Sequence, residues 1–218
     1  MPMSAKPPTP RQTLHEEHAN ALSHALACAL ALVAMPALAQ QSRADEHPLR
    51  MAAMVAFLGS MALMYLISSV YHALPVGRAK VLWRRWDHAA IFVFIAGSYS
   101  PFALVAMQHG DSAWLLGAVW ALALTGVAAK LWLPLHHSGL STGVYVMFGT
   151  LVGTMAEPAV DLLSSTGLRL FAAGGLAYLL GVAFFMLGQR LRYSHFVWHL
   201  CVISGSACHG WTVLQVMR

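Results

Sequence analysis

Charged residues are scarce in this chain. Asp, Glu, Lys and Arg make up 10% of its 218 residues, whereas soluble domains carry roughly 25%. This scarcity excludes an ordinary water-soluble domain.

Cysteine is also rare, and Cys28, Cys201 and Cys208 all lie within apolar runs. An odd number of cysteines with no pair in a loop excludes a disulfide framework, so we expect each to be a small packing residue.

Hydrophobic residues make up 58% of the chain. A helix needs about 20 consecutive apolar residues to cross a bilayer. Seven runs approach that length: 21–40, 51–71, 88–107, 113–132, 142–157, 168–188 and 195–216. We therefore predict an all-α polytopic membrane protein, a bundle of seven transmembrane helices. Residues 14–218 would form this single domain, and residues 1–13, rich in proline and polar side chains, a disordered cytoplasmic tail.

The net charge of +5 would suit nucleic-acid binding, but the basic residues lie between the apolar runs, where they set membrane orientation. Seven crossings place nine of them on the side of the N-terminus and four on the other: Lys6, Arg11, Arg78, Lys80, Arg84, Arg85, Lys130, Arg190 and Arg192 against Arg43, Arg50, Arg169 and Arg218. This asymmetry predicts a cytoplasmic N-terminus, an external C-terminus and no nucleic-acid partner. We expect segment 73–86, which carries four of the basic residues, to be an interfacial loop.

The first apolar run also resembles a secretory signal, because Ala37-Leu38-Ala39 fits a cleavage site. The residues before it, His15-Glu16-Glu17-His18, are not the basic segment with which a signal peptide begins. We therefore expect this run to be retained as the first membrane helix.

Three histidines lie at the ends of apolar runs. His72 closes the second run, and His195 and His199 open the last. Residues four apart share one face of a helix, so the last two imidazoles can reach one ion. Counting crossings puts all three at a similar depth on the side of the N-terminus. Three imidazoles with an open fourth position are the ligand set of a catalytic zinc, and a hydrogen-bond network between helices is an equally good interpretation of the spacing.

Asp87 and Ser68 are the candidate catalytic residues. Asp87 opens the third apolar run, and Ser68 lies one helical turn before His72. A zinc ion lowers the pKa of a bound water towards about 7, so Asp87 could accept its proton and Ser68 could bond the water or a carbonyl. These groups suit hydrolysis of a lipid amide or ester at the headgroup boundary. Alternatively, Asp87 pairs with Arg84 or Arg85, and Ser68 bonds its own helix.

Other polar residues are weaker candidates for the site. Glu17, Asn20 and His24 form a stripe on the first helix that could cap it, pack it or contact the site. His209 lies about 21 Å along the last helix from His195, so we expect it to make a core hydrogen bond. We expect His88, next to Asp87, to point away from the site.

Ordered motifs relate the chain to a known family: Glu17-x-x-Asn20-x-x-Ser23-His24, Ser68-x-x-x-His72, Asp87 leading to Gly97-Ser98-Tyr99-Ser100-Pro101-Phe102, and Ser194-His195-x-x-x-His199 followed by His209. Over about residues 14–216 the chain resembles bacterial haemolysin III-like proteins of the progestin and adipoQ receptor family. A wider superfamily of proposed membrane hydrolases, including alkaline ceramidases, contains that family. The resemblance implies a seven-helix bundle in the bacterial plasma membrane, zinc on His72, His195 and His199, and Asp87 and Ser68 beside it.

Three functions are then open. The leading hypothesis is a zinc-dependent hydrolase of a lipid amide or ester, ceramide-like in substrate and serving lipid homeostasis. The second is a non-enzymatic regulator or receptor whose zinc joins the second and seventh helices. The third is a pore-forming cytolysin. The family name suggests this function, although the sequence shows no polar stripe on several helices that could line a pore.

Overall fold

The computed structural model describes residues 12–41, 48–108, 113–133, 138–156, 160–161, 163–188 and 191–217. Their regular structure is helical and comprises seven long helices: α1 (Leu14–Gln41), α2 (Pro48–Ala73), α3 (Arg78–Gln108), α4 (Trp114–Trp132), α5 (Ser138–Met155), α6 (Ser165–Leu187) and α7 (Ser194–Val216). One helix corresponds to each predicted apolar run, so the predicted all-α fold is confirmed.

Five helices, α1 to α4 and α6, are long and apolar enough to cross a membrane. Helix α5 is shorter, and α7 spans 23 residues but carries three histidines. Large apolar side chains on the outer faces are exposed, as a lipid-facing surface requires: Leu26, Leu30, Val33, Leu122, Leu124, Leu176 and Leu180. The chain is therefore an all-α polytopic membrane protein.

The start of α1 is fixed by a capping box. The Thr13 hydroxyl accepts a hydrogen bond from the Glu16 backbone N–H, and the Glu16 carboxylate accepts from the Thr13 N–H at 2.9 Å. Gln12 accepts a hydrogen bond from the Asn20 side chain at 2.9 Å. Residues 12 and 13 thus belong to the beginning of this helix. The remainder of the predicted tail, residues 1–11, lies outside the described residues.

The expected interfacial loop at 73–86 is mostly helical, because α3 already begins at Arg78. Only four residues, Leu74 to Gly77, lie between α2 and α3, and the Val81 N–H bonds the Gly77 carbonyl at 3.2 Å. Beyond Gly77 no proline or glycine opposes a helix before the apolar run begins. The basic residues are therefore a helical extension of the third span, and the prediction of a loop was wrong.

The core lies mainly between α2 and α3, and α1, α4 and α7 pack around this pair. Phe57 and Leu58 of α2 and Tyr99 of α3 are almost completely buried there. Gly97 permits the close approach of the two helices, because a Cβ atom at this position would collide with Ser60 and with the Ala56 carbonyl. The packing brings the last turn of α2 to the first turns of α1, α3 and α7.

Candidate metal centre

His72, His195 and His199 meet at one end of the bundle. One ring nitrogen from each lies within 4.8 Å of the others, so the three side chains could hold one metal ion. The ring centroids are 5.0 Å apart for His72 with either partner and 4.8 Å apart for the two rings of α7. The predicted convergence of these histidines is confirmed in geometry, whereas the identity of a metal is a separate question.

Glu17 determines how His72 presents its ring. The two groups lie 2.7 Å apart, from His72 Nδ1 to Glu17 Oε2, and Lys80 Nζ contacts the same oxygen at 3.1 Å. Since Glu17 is ion-paired with Lys80, its carboxylate accepts the hydrogen bond and Nδ1 carries the proton. This leaves the lone pair on Nε2, which is buried and has no hydrogen-bond partner within the described segments. Metal-bound histidines commonly have such a carboxylate partner.

His199 is oriented in the same manner by the first helix. Its Nδ1 lies 3.2 Å from the Asn20 carbonyl oxygen and 3.2 Å from Ser23 Oγ, and Ser23 donates to that same carbonyl. A carbonyl only accepts, so Nδ1 carries the proton and Nε2 keeps its lone pair. His199 is 1% exposed. Two of the three rings therefore keep an unprotonated Nε2, which is the form of imidazole that binds a cation.

The turn before α7 places His195 and His199. Tyr193 has a φ of 57°, in the left-handed region that is uncommon for residues other than glycine. Its N–H donates to Glu16 Oε1 at 2.8 Å, and the Ser194 hydroxyl bonds the Phe184 carbonyl. Glu16 therefore connects the capping box of α1 to the first turn of α7, which holds the start of both helices in register.

A cavity of about 80 Å³ adjoins the histidines, and both candidate catalytic residues are part of its lining. It is lined by His24, Met64, Ser68, Asp87, His88, Ile91, Ser141, Thr142, Tyr145, Val182, Phe185, His195, Trp198, His199 and Val202. A water molecule needs roughly 10–15 Å³ of such space, so the cavity has room for several waters or for a small polar group.

Ser68 and Asp87 are both available in this cavity. The Ser68 hydroxyl makes no hydrogen bond to a described residue although the side chain is only 3% exposed, so its own helix does not use it. Asp87 forms no ion pair with Arg84 or Arg85 among the described side chains. The two alternative interpretations of these residues are therefore not observed.

Three further residues belong to the site. Glu17 bonds His72, and His24 stacks on His199 with ring centroids 3.7 Å apart and planes 6° apart. The third, His88, lines the cavity, so the expectation that it points away was wrong. The cavity extends past α3 to α5, where Tyr145 donates to the His88 carbonyl at 2.9 Å. The polar stripe on the first helix was a signal for Glu17 and His24, while nothing in the sequence indicated His88.

His209 lies outside the site, as predicted. Its Nε2 is 3.2 Å from the Phe171 carbonyl oxygen, and its ring stacks on Phe171 at 5.1 Å. The expected core hydrogen bond is confirmed.

Comparison with known proteins identifies the family. The model of haemolysin-III related proteins matches residues 12–210, which include every histidine of the candidate metal centre. The chain belongs to the haemolysin-III related family. It is 33% identical over 204 residues to hemolysin-3 of Bacillus cereus, covering 93% of this chain and 92% of that protein. A hemolysin-3 homolog of Bacillus subtilis (strain 168) is 33% identical over 202 residues, covering 93% and 94%.

A more distant similarity supports the wider resemblance. The human monocyte to macrophage differentiation factor is 25% identical over 212 residues, covering 95% of this chain and 87% of that protein. All these matches run through the whole bundle, so the resemblance to haemolysin III-like proteins is confirmed over nearly the full length.

Proposed function

We propose that this haemolysin-III related protein is a zinc-dependent hydrolase that cleaves an amide or ester bond of a membrane lipid. The observation that supports it best is the buried Nε2 of His72, which has no hydrogen-bond partner among the described residues while Nδ1 is occupied by Glu17. An unpaired buried nitrogen is costly, by about 1–3 kcal/mol, and a metal ion would account for it. Three neutral imidazoles with an open position favour zinc over other divalent ions.

The residues around the cavity have complementary tasks in this proposal. His72, His195 and His199 would hold the zinc, which would supply Lewis-acid chemistry for the hydrolysis. Asp87 accepts the proton that the attacking water loses and returns it to the leaving nitrogen or oxygen. Ser68 donates a hydrogen bond to the carbonyl oxygen, where negative charge develops. Its buried hydroxyl, not engaged by any described residue, is free for this purpose.

A lipid is the substrate class that the surroundings favour. The apolar side of the cavity is formed by Val182 and Phe185 of α6 and Trp198 of α7, which suit an acyl chain. The polar groups lie at the end of the bundle where α2 ends and α7 begins, and the proposal assigns this end to the depth of lipid headgroups.

The test measures zinc and turnover on the same purified protein. Zinc content is determined by mass spectrometry, and acyl release is followed from ceramide and from an ester lipid. We expect His199→Ala to lose zinc and turnover, and Asp87→Asn to keep zinc while turnover falls at least about a hundredfold. His18→Ala is the matched control, because His18 is an exposed histidine at the same end of the bundle. If zinc-loaded wild type releases no acyl chain, the hydrolase is contradicted, whereas equal turnover in wild type and Asp87→Asn would contradict only the role of Asp87.

The second candidate is a regulator in which zinc joins α2 to α7 without catalysis. The contact of His72 with both rings of α7 favours it. In this case His199→Ala lowers the melting temperature, while Asp87→Asn changes neither stability nor any lipid turnover.

The name hemolysin-3 of the bacterial relatives also motivates a leakage assay with dye-loaded liposomes, in which a cytolysin releases the dye.

The proposal also includes location and orientation. We place the protein in the bacterial plasma membrane with its N-terminus in the cytoplasm, because nine Lys and Arg residues lie on that side against four on the other. Reporter fusions that are active on only one side of the membrane test this, and an active external reporter at the N-terminus would contradict it.

A further inference from the structure

Lys130, in the last turn of α4, is buried although it is a lysine at the end of a membrane helix. Only 7% of its surface is exposed. Lysine at such a position usually extends its amino group to the interface, where water and headgroups solvate it. This lysine turns inward instead, donates to the Ser141 hydroxyl of α5, and lies over the Tyr145 ring with Nζ 5.4 Å from the centroid.

Among the residues that the structure describes, the ammonium group has no counter-charge. Within the described segments no carboxylate lies within 4.0 Å of Lys130, and the charge that acts on it is the guanidinium of Arg84, which repels it. A cation at the end of α4 interacts favourably with the helix dipole, but this lysine bonds a side chain of another helix rather than a carbonyl of its own. Lys80 provides the contrast, since it is paired with Glu17 and bonds three carbonyls.

The two partners of Lys130 both line the cavity of the metal centre. Ser141 and Tyr145 form its α5 wall, facing Asp87 and His88 of α3. The Tyr145 hydroxyl already donates to the His88 carbonyl at 2.9 Å, so it offers the ammonium only its ring. A group bound at Ser141 would therefore lie next to a buried positive charge that no described carboxylate neutralises.

We propose that Lys130 and Ser141 form a subsite for the phosphate of an anionic glycerophospholipid headgroup. A phosphate offers several charged oxygens, and an ammonium group can donate to one of them while it keeps its bond to the Ser141 hydroxyl. The subsite lies at the headgroup end of the bundle, where such phosphates are found. Asp87 also lines the cavity and repels an anion, so the phosphate lies on the α5 side, away from this carboxylate.

The subsite assigns a substrate class to the cavity: lipids with an anionic rather than a neutral headgroup. As a statement about substrate, this rests on the proposed hydrolase. As a statement about binding it does not, because the contacts of Lys130 are present whether or not a bond is cleaved. The two claims can therefore fail separately, and the experiment measures them separately.

The experiment uses the full-length, zinc-loaded protein in a neutral detergent. Phosphatidylglycerol and phosphatidylcholine with identical acyl chains are titrated, and the apparent affinity is taken from the shift in melting temperature. We expect wild type to prefer phosphatidylglycerol and Lys130→Met to lose about tenfold in affinity for it, which corresponds to one charge-assisted contact. Lys130→Arg should retain the preference. Arg169→Met, an exposed cation near the start of α6, is the matched control and should behave as wild type.

Competition with soluble phosphates and parallel activity measurements distinguish the possible outcomes. Competition by glycerol 3-phosphate or inorganic phosphate would support the same chemistry and show that the phosphate need not come from a lipid. An unchanged preference in Lys130→Met, or no preference in wild type, would overturn the subsite. If Lys130→Met fails to fold, Ser141→Ala takes its place and should weaken phosphatidylglycerol binding severalfold. Zinc content and acyl release are measured in parallel, so turnover without headgroup preference contradicts the subsite alone, and preference without turnover contradicts the hydrolase alone.

Discussion

Individual residues in this protein depend on partners that come from distant parts of the chain. His72 takes its ring orientation from Glu17, and His199 takes its own from Asn20 and Ser23. All of these partners lie on α1, which supplies none of the candidate metal ligands. The first helix therefore acts as a support for two of the three imidazoles. Substitutions on α1 should therefore change metal binding although this helix supplies no candidate ligand.

Replacing Glu17 by Gln should weaken zinc binding by about 10–100-fold, the usual cost of losing a partner of a metal ligand. The amide keeps the size of the side chain, but it loses the charge that polarises His72 and pairs with Lys80. The measurement is a zinc titration against a chelator of known affinity. Lys80→Met is the control, because it removes the ion pair and leaves the bond to His72 in place. Equal zinc affinity in wild type and Glu17→Gln would show that this carboxylate does not serve the metal.

Replacing His24 by Phe should raise stability and lower activity. Both ring nitrogens of His24 are buried without a described partner, and the ring stacks on His199 and lies 5.0 Å from the Tyr65 ring. Phenylalanine keeps the stack and removes the unsatisfied groups, so we expect a gain of about 1 kcal/mol in unfolding free energy. Thermal unfolding and the KM for acyl release are measured together. A lower melting temperature would mean that His24 is satisfied in the protein by a bound water or by another group.

Sequence reasoning found the histidines but could not assign their neighbours. His195 and His199 share a helix face by spacing alone, and His72 follows from counting crossings. Glu17 was visible only as part of a polar stripe, since its partner depends on α1 packing against the end of α2. The place of His88 depends on how far the cavity extends past α3, which no local pattern encodes.

Among the helices, α6 and α7 approach each other through glycines. Gly174 faces the His209 ring, Gly181 faces Trp198, and Gly205 of α7 faces the Tyr178 ring. Small residues of this kind let helices pack closely in a membrane, where burial from water does not drive association. Because His195 and His199 are on α7, this close packing also determines where two of the candidate ligands lie.

Replacing Gly181 by Ala should disturb both stability and metal binding. The added Cβ would lie 2.7 Å from a Trp198 ring carbon and 2.9 Å from the Cys201 Cβ, so α7 must move or Trp198 must turn. We expect a loss of about 1–3 kcal/mol, the usual cost of overpacking. Gly175→Ala is the matched control from the same helix, since no atom lies within 4 Å of a Cβ there. Thermal unfolding and zinc titration of both variants test this, and equal behaviour would contradict it.

The existence of the helices was predictable, while their ends were not. Hydropathy locates each span because a membrane helix must be apolar for most of its length. The beginning of α3 at Arg78 was missed because a helix that leaves the membrane needs no apolar residues there, only the absence of breakers. The start of α1 depends on the pair Thr13 and Glu16, a capping box that the apolar run does not include.

On the scale of the whole molecule, the polar residues are concentrated at one end of an apolar bundle. The ends of α2 and α4 and the beginnings of α1, α3, α5 and α7 meet there, and the cavity lies among them. Counting crossings predicts this result, because an alternating topology returns every second connection to the same side. Which side chains touch within that layer depends on how the helices pack, so the sequence alone does not predict the contacts of the metal centre or the shape of the cavity.

Zinc removal should destabilise the entire bundle, since the candidate ligands come from α2 and α7, which α1 separates in their packing. Binding to the folded state alone contributes about 4 kcal/mol when free zinc exceeds its Kd a thousandfold. We therefore expect a chelator to lower the melting temperature of wild type and of His18→Ala by several degrees. His199→Ala should melt at this lower temperature with or without the chelator. If wild type melts at the same temperature in both conditions, the three histidines do not join these helices through a metal, and the hydrogen-bond network remains as the reason for their convergence.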